Sequence, residues 1–114
     1  MTLNEKQADF ALHIAKLIVW CHSQGIPVMG AEWFRTKEQA EIYAAQGKGI
    51  KKSNHRLKLA LDIFALKDGN VTWDMKIYEK IGKKWKTMHP LARWGGDFRG
   101  RDGVHFSFEH NGVA

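Results

Sequence analysis

The sequence predicts an α+β fold in which about three helices flank a small, mainly antiparallel sheet. Three observations predict it. Apolar residues recur at helical spacing in two stretches, a capping pattern opens a third helix, and short strand-like runs lie between them. The 114 residues are the size of one domain, and no repeat or low-complexity linker divides them, so residues 1–114 read as one unit.

Asn4 to Gln24 reads as the first helix, because Phe10, Ile14, Leu17 and Cys21 recur at spacings of four, three and four. Gly25 and Pro27 end it. Pro27 to Phe34 reads as a strand. Thr36 and Gln39 form a capping-box pattern that opens a second helix, ending near Gly47. A basic loop, Gly47 to Asn54, follows. Leu59 to Leu66 has strand composition, with Asp68-Gly69-Asn70 as its turn. Asp74 to Met88 is the third helix, with Ile77, Ile81, Trp85 and Met88 on the apolar face and lysines on the wet one. A glycine-rich loop comes after Pro90, and His105 to His110 reads as the last strand. Trp20, Trp33 and Trp85 are expected in the core.

Composition narrows the function without naming it. A 44% hydrophobic fraction suits a folded chain. No apolar run is long enough to cross a bilayer, so no membrane span is expected. The polar opening MTLNEKQADF is unlike a secretory signal, which points to production in the cytoplasm. A lone cysteine excludes an internal disulfide, and Cys21 sits on the apolar stripe of a helix, as a small buried hydrophobe would. The net charge of +6 asks for an anionic partner, and nucleic acid, cell wall or an acidic membrane surface would each serve. The lysine-rich stretches Lys48 to Lys58 and Lys76 to Lys86 lack the interleaved aromatics of a single-strand-binding sheet. Specific nucleic-acid binding is therefore not expected.

Asp62 is the first residue that asks for chemistry. It is the only charge in Leu59 to Leu66, and a buried carboxylate needs a cation or several donors. A lone aspartate on an edge strand could instead reach solvent or an arginine. His55 lies seven residues earlier, behind the basic loop. On a helix that spacing would separate the two side chains by about 10 Å, too far for one metal. They converge only if His55 sits on a turn that folds back beside the strand. His105 opens an alternating strand whose polar face it shares, and two histidines with one carboxylate form a catalytic zinc set that leaves a position for water. Each histidine alone reads equally well as a hydrogen-bonded structural residue. Asp102, three residues before His105, is a candidate base or simply a turn-forming Asp-Gly.

Together these residues carry a resemblance. Ser53-x-His55 with Ala60-x-Asp62, followed by Asp102-x-x-His105-Phe106, resembles the M15 zinc peptidases. That family includes D-alanyl-D-alanine carboxypeptidases and the L-alanyl-D-glutamate endopeptidases used as phage endolysins. Trp94-Gly95-Gly96-Asp97-Phe98 is similar to the W-G-G-D-W/F segment of the endopeptidase branch, and Phe34-Arg35-Thr36 with Gln39 resembles its Y/F-R-S/T…Q segment. The matched segments run from about residue 30 to 108. Lys58 departs from the pattern by standing where the motif has glycine, which predicts a differently shaped loop between His55 and Asp62.

The resemblance implies a D-Ala-D-Ala metallopeptidase-like fold, with zinc held by His55, Asp62 and His105. It makes Asp102 the general base and Arg35 an electrophilic helper or substrate clamp. Arg35 otherwise reads as one half of a surface salt bridge with Glu38 or Glu41. Ser53 either contacts substrate or caps its loop, Trp94 is expected to line the cleft, and Asp97 reads as structural. The function this implies is hydrolysis of bacterial peptidoglycan stem peptides by a phage- or prophage-type endolysin, monomeric and made in the host cytoplasm. The rivals are a D-alanyl-D-alanine carboxypeptidase, which would need export, and a basic nucleic-acid-binding protein with structural histidines. The second leaves Asp62 unexplained.

Overall fold

A computed structural model describes residues 1–50 and 53–114. The basic loop expected over Gly47 to Asn54 therefore includes two residues, Lys51 and Lys52, that lie outside the described ones. The elements run α1 (Leu3–Ser23), β1 (Val28–Gly30), α2 (Lys37–Ala45), a 3₁₀ turn (Asn54–Leu57), β2 (Ala60–Lys67), β3 (Asn70–Val71), α3 (Met75–Met88), β4 (Ala92–Trp94), a second 3₁₀ turn (Gly95–Asp97) and β5 (His105–Phe108). The fold is α+β: three helices and one small antiparallel sheet.

Local chemistry accounts for the helix starts. Thr2 and Glu5 cap α1 reciprocally, each side chain accepting from the other's backbone N–H at 3.1 Å. The Thr36 hydroxyl accepts from the Gln39 N–H at 3.0 Å at the head of α2. Asp74 does the same for Lys76 at α3. Along α1, Phe10, Ile14, Leu17 and Cys21 are buried, as their spacing requires.

In the sheet, the strands lie in the order β1-β2-β5-β4, with the short β3 paired to β2, and every pairing is antiparallel. Leu61, Ile63 and Ala65 of β2 enter the core with Phe106, Trp94, Phe10, Tyr78 and Trp85. Asp62, Phe64 and Leu66 alternate to the opposite face and are only half-buried. The core is aromatic at its centre, where Trp85 stacks on Phe108 at 5.6 Å and Phe10 meets Phe108 edge-on at 5.1 Å.

Three expectations need correction. The stretch after Pro90 is not loop alone, because Ala92–Trp94 forms an edge strand on β5. The first strand covers only Val28–Gly30 of the expected Pro27 to Phe34, since the chain then turns toward the 3₁₀ turn. Trp33 is 39% exposed rather than core, although its ring still touches Phe10.

Candidate metal centre

Strand register sets the first two groups of the site. Asp62 pairs directly with His105 across β2 and β5, so both side chains rise from the same face as neighbours. His55 comes from the 3₁₀ turn. Ser53 caps that turn, its hydroxyl accepting from the His55 N–H at 3.3 Å. Lys58 ends it in the left-handed conformation, φ 54°. The chain thus takes a left-handed turn there without a glycine. The result is the fold-back that convergence of His55 and Asp62 demands.

One ligand atom from each of His55, Asp62 and His105 lies within 4.8 Å of the others, the only such group among the described residues. Nε2 of His55 is 3.3 Å from Oδ1 of Asp62, and Nδ1 of His105 is 3.7 Å from the same oxygen. The two rings meet edge-on at 5.2 Å. Nδ1 of His55 donates to the Trp33 carbonyl at 3.2 Å. A carbonyl can only accept, so the proton sits on Nδ1 and the Nε2 lone pair faces Asp62. Burial, reinforced by the neighbouring His55, pushes the pKa of His105 down to about 4, so its ring is neutral and in ligand form at neutral pH.

The donor set fits zinc for a further reason. Asp62 Oδ1 and His105 Nε2 are buried with no hydrogen-bond partner. Leaving a neutral group unsatisfied costs about 1–3 kcal/mol and a carboxylate oxygen more, and a cation beside Asp62 Oδ1 would offset that cost. Two imidazoles and a carboxylate are a zinc set.

Asp102 stands on the exposed rim of the same cleft. Crowding by protein raises its pKa, the Asp62 charge adds to the rise, and His55, the Val104 N–H and Arg35 oppose it. Its backbone is clamped on both sides, the N–H donating to the Gly95 carbonyl at 2.8 Å and the carbonyl accepting from the His105 N–H at 3.1 Å. Gly95 permits that clamp. A Cβ there would overlap the Asp102 carbonyl and come within 2.8 Å of the His105 Cβ.

Arg35, Ser53, His55, Phe98, Asp102 and His105 line a cleft of about 280 Å³. The Arg35 partner is Glu32, neither Glu38 nor Glu41: Nε donates to Glu32 Oε1 at 3.0 Å and a terminal nitrogen joins it. Trp94 does not line the cleft. It is 4% exposed, donates to the Gly103 carbonyl at 2.8 Å, and fills the space left by Gly82 and Gly96. The tryptophan therefore braces the glycine loop from beneath. Asp97 points outward to Lys86 at 2.7 Å. Two residues near the site escaped the sequence: Phe98, whose ring lies 5.3 Å from His105, and Glu32. The only local signal for Glu32 was an acid three residues before the arginine.

Fold and site together bring two histidines and one carboxylate to one place on an antiparallel sheet, a group that could hold a metal ion. The chain is 36% identical over 103 residues to the L-alanyl-D-glutamate peptidase of Listeria phage A118, a match covering 87% of this chain. It spans about a third of that relative's length, 36%. Its fold matches the L-Ala D-Glu endopeptidase ChiX of Serratia marcescens with a TM-score of 0.66 at 23% identity, over 74% of this chain and 68% of that one. No family model matches the chain. The phage likeness agrees with the M15 endopeptidase resemblance read from the motifs, and the ChiX likeness with the expected fold.

Proposed function

We propose that residues 1–114 form the catalytic domain of a zinc-dependent endopeptidase that hydrolyses peptidoglycan stem peptides at the L-alanyl-D-glutamate bond. The observation that carries this reading is the convergence of His55, Asp62 and His105, with partnerless buried atoms, beside Asp102. The two likenesses supply the substrate class.

Zinc held by His55, Asp62 and His105 would acidify a water and polarise the scissile carbonyl. Asp102 accepts the proton of the attacking water and then delivers it to the leaving amine, a role its raised pKa suits. Arg35, on the cleft wall, stabilises the developing oxyanion or clamps a stem-peptide carboxylate. Ser53 holds the His55 turn and lines the cleft. The net charge of +6 favours approach to an anionic wall. No helix among the described residues is long and apolar enough to cross a membrane. A lysis enzyme made in the host cytoplasm and acting after release fits these features, and so does a monomer.

Mass spectrometry of digested peptidoglycan tests the reading. Hydrolysis at L-Ala–D-Glu yields peptides with a new D-glutamate amino terminus and glycan carrying L-alanine alone. Release of free D-alanine would identify a carboxypeptidase instead. No new product from zinc-loaded protein would refute both.

A further inference from the structure

His55, His105, Asp102, Arg35 and Ser53 line the cleft, yet the segment after β1 is tied to the candidate metal centre from behind. The Ala31 N–H donates to the Asp62 carbonyl at 2.7 Å, and the Asp62 N–H donates to the Glu32 carbonyl at 2.9 Å. The Arg35 N–H donates to the His55 carbonyl at 2.9 Å. Residues 31–35 are thereby laced to two of the three candidate ligands. The Glu32 carboxylate sits at the junction. One of its oxygens takes both the Nε and a terminal nitrogen of Arg35, and the same oxygen is 3.7 Å from Nδ1 of His55. The Arg35 side chain is only 11% exposed and that of Glu32 28%, so the pair is partly shielded from water.

We infer that Glu32 is a positioning residue that acts on both halves of the site. Through Arg35 it holds the guanidinium along one edge, leaving the remaining N–H groups for substrate. Through His55 it supports the Trp33 carbonyl in keeping the proton on Nδ1 and the lone pair on Nε2, and its negative charge strengthens the imidazole as a donor. The inference rests on the metallopeptidase reading of this cleft, but its metal half is measurable without substrate.

Glu32→Gln is the test, because glutamine keeps the shape and loses the charge. Zinc affinity, measured by chelator competition, should fall about 10- to 100-fold, as for other outer partners of metal-bound histidines. Arg35→Ala should leave zinc affinity near the parental value. Turnover should fall in both single variants, and the double variant should be no slower than the worse single one, because Glu32 acts on catalysis largely through Arg35. Nitrogen NMR of the His55 ring should show the Nδ1–H tautomer in both proteins, held by the Trp33 carbonyl, with the ring signals shifted in Glu32→Gln by loss of the neighbouring charge. Parental zinc affinity and ring signals in a folded Glu32→Gln protein would overturn the inference while leaving the metal site standing. Strictly additive turnover losses would overturn its Arg35 half. A parent that takes up no zinc would instead bring down the functional reading on which the inference rests.

Discussion

Two clusters in this molecule are each made of two histidines and an aspartate, and only one has the makings of a metal site. Where α1 meets the end of α3, Asp9 lies between His13 and His89. One carboxylate oxygen accepts from His89 Nε2 at 3.0 Å, and the other lies 3.0 Å from His13 Nδ1. Nδ1 of His89 accepts the Leu91 N–H, and Nδ1 of His13 also reaches the Asp9 carbonyl at 2.8 Å. The His89 ring lies stacked on Phe108 at 4.3 Å. Partners already settle the tautomers, and the cluster pins two helices together. At β2 and β5 the same composition leaves Asp62 Oδ1 and His105 Nε2 buried and partnerless, with one ligand atom of each residue within 4.8 Å of the others. The difference teaches that residue type and proximity do not define a metal site. Convergent lone pairs without donors do.

The contrast can be pressed with substitutions, beginning with the largest effect. Asp102→Asn nearly keeps its shape but cannot take a proton, so release of peptides from peptidoglycan should slow about 10²- to 10⁴-fold. Zinc content and melting temperature should stay parental, because no ligand is touched. Asp97→Asn is the paired control, and losing its exposed contact with Lys86 should cost under about 1 kcal/mol and leave turnover intact. If Asp97→Asn kept its zinc and lost activity while Asp102→Asn kept activity, the base would be misassigned.

Gly95→Ala should cost about 1–3 kcal/mol by overpacking. It should also weaken zinc binding, since the clash falls on the Asp102–His105 segment. Denaturant unfolding together with zinc titration would separate the two losses. Asp9→Ala should cost about 1–3 kcal/mol, by stranding the half-buried His89 Nε2 donor while His13 keeps the backbone carbonyl, with no change in zinc content. The smallest effect is a gain. A left-handed residue other than glycine carries about 1–2 kcal/mol of strain, and glycine gives back about 0.5–1 kcal/mol in chain entropy. Lys58→Gly should therefore raise stability by about 0.5–1 kcal/mol in denaturant unfolding with the zinc site unchanged. A loss would mean that the contact of Lys58 with the Phe34 ring outweighs the strain.

Local signals carried much of the fold. The apolar stripes of α1 and α3 and the cap at Thr36 are local signals, and the structure follows them. β4 was not legible, because three residues beside a glycine-rich loop become a strand only by pairing with Phe106 and Phe108. The fold of the site divides the same way. His55, Asp62 and His105 could be picked out by type and order, but their meeting depends on a register between strands more than 40 residues apart. Trp94 was misplaced because its position beside the glycines suggested exposure, whereas those glycines are cavities that its ring occupies. Glu32 was invisible because its importance lies in what folds against it.

The central claim is that His55, Asp62 and His105, and not His13, Asp9 and His89, hold one zinc. Elemental analysis of three purified proteins tests it most directly: the parent, Asp62→Ala and Asp9→Ala, each reconstituted with zinc and desalted. About one zinc per chain is expected in the parent and in Asp9→Ala, and little or none in Asp62→Ala. A full complement in a folded Asp62→Ala protein, or loss of zinc in Asp9→Ala, would contradict it.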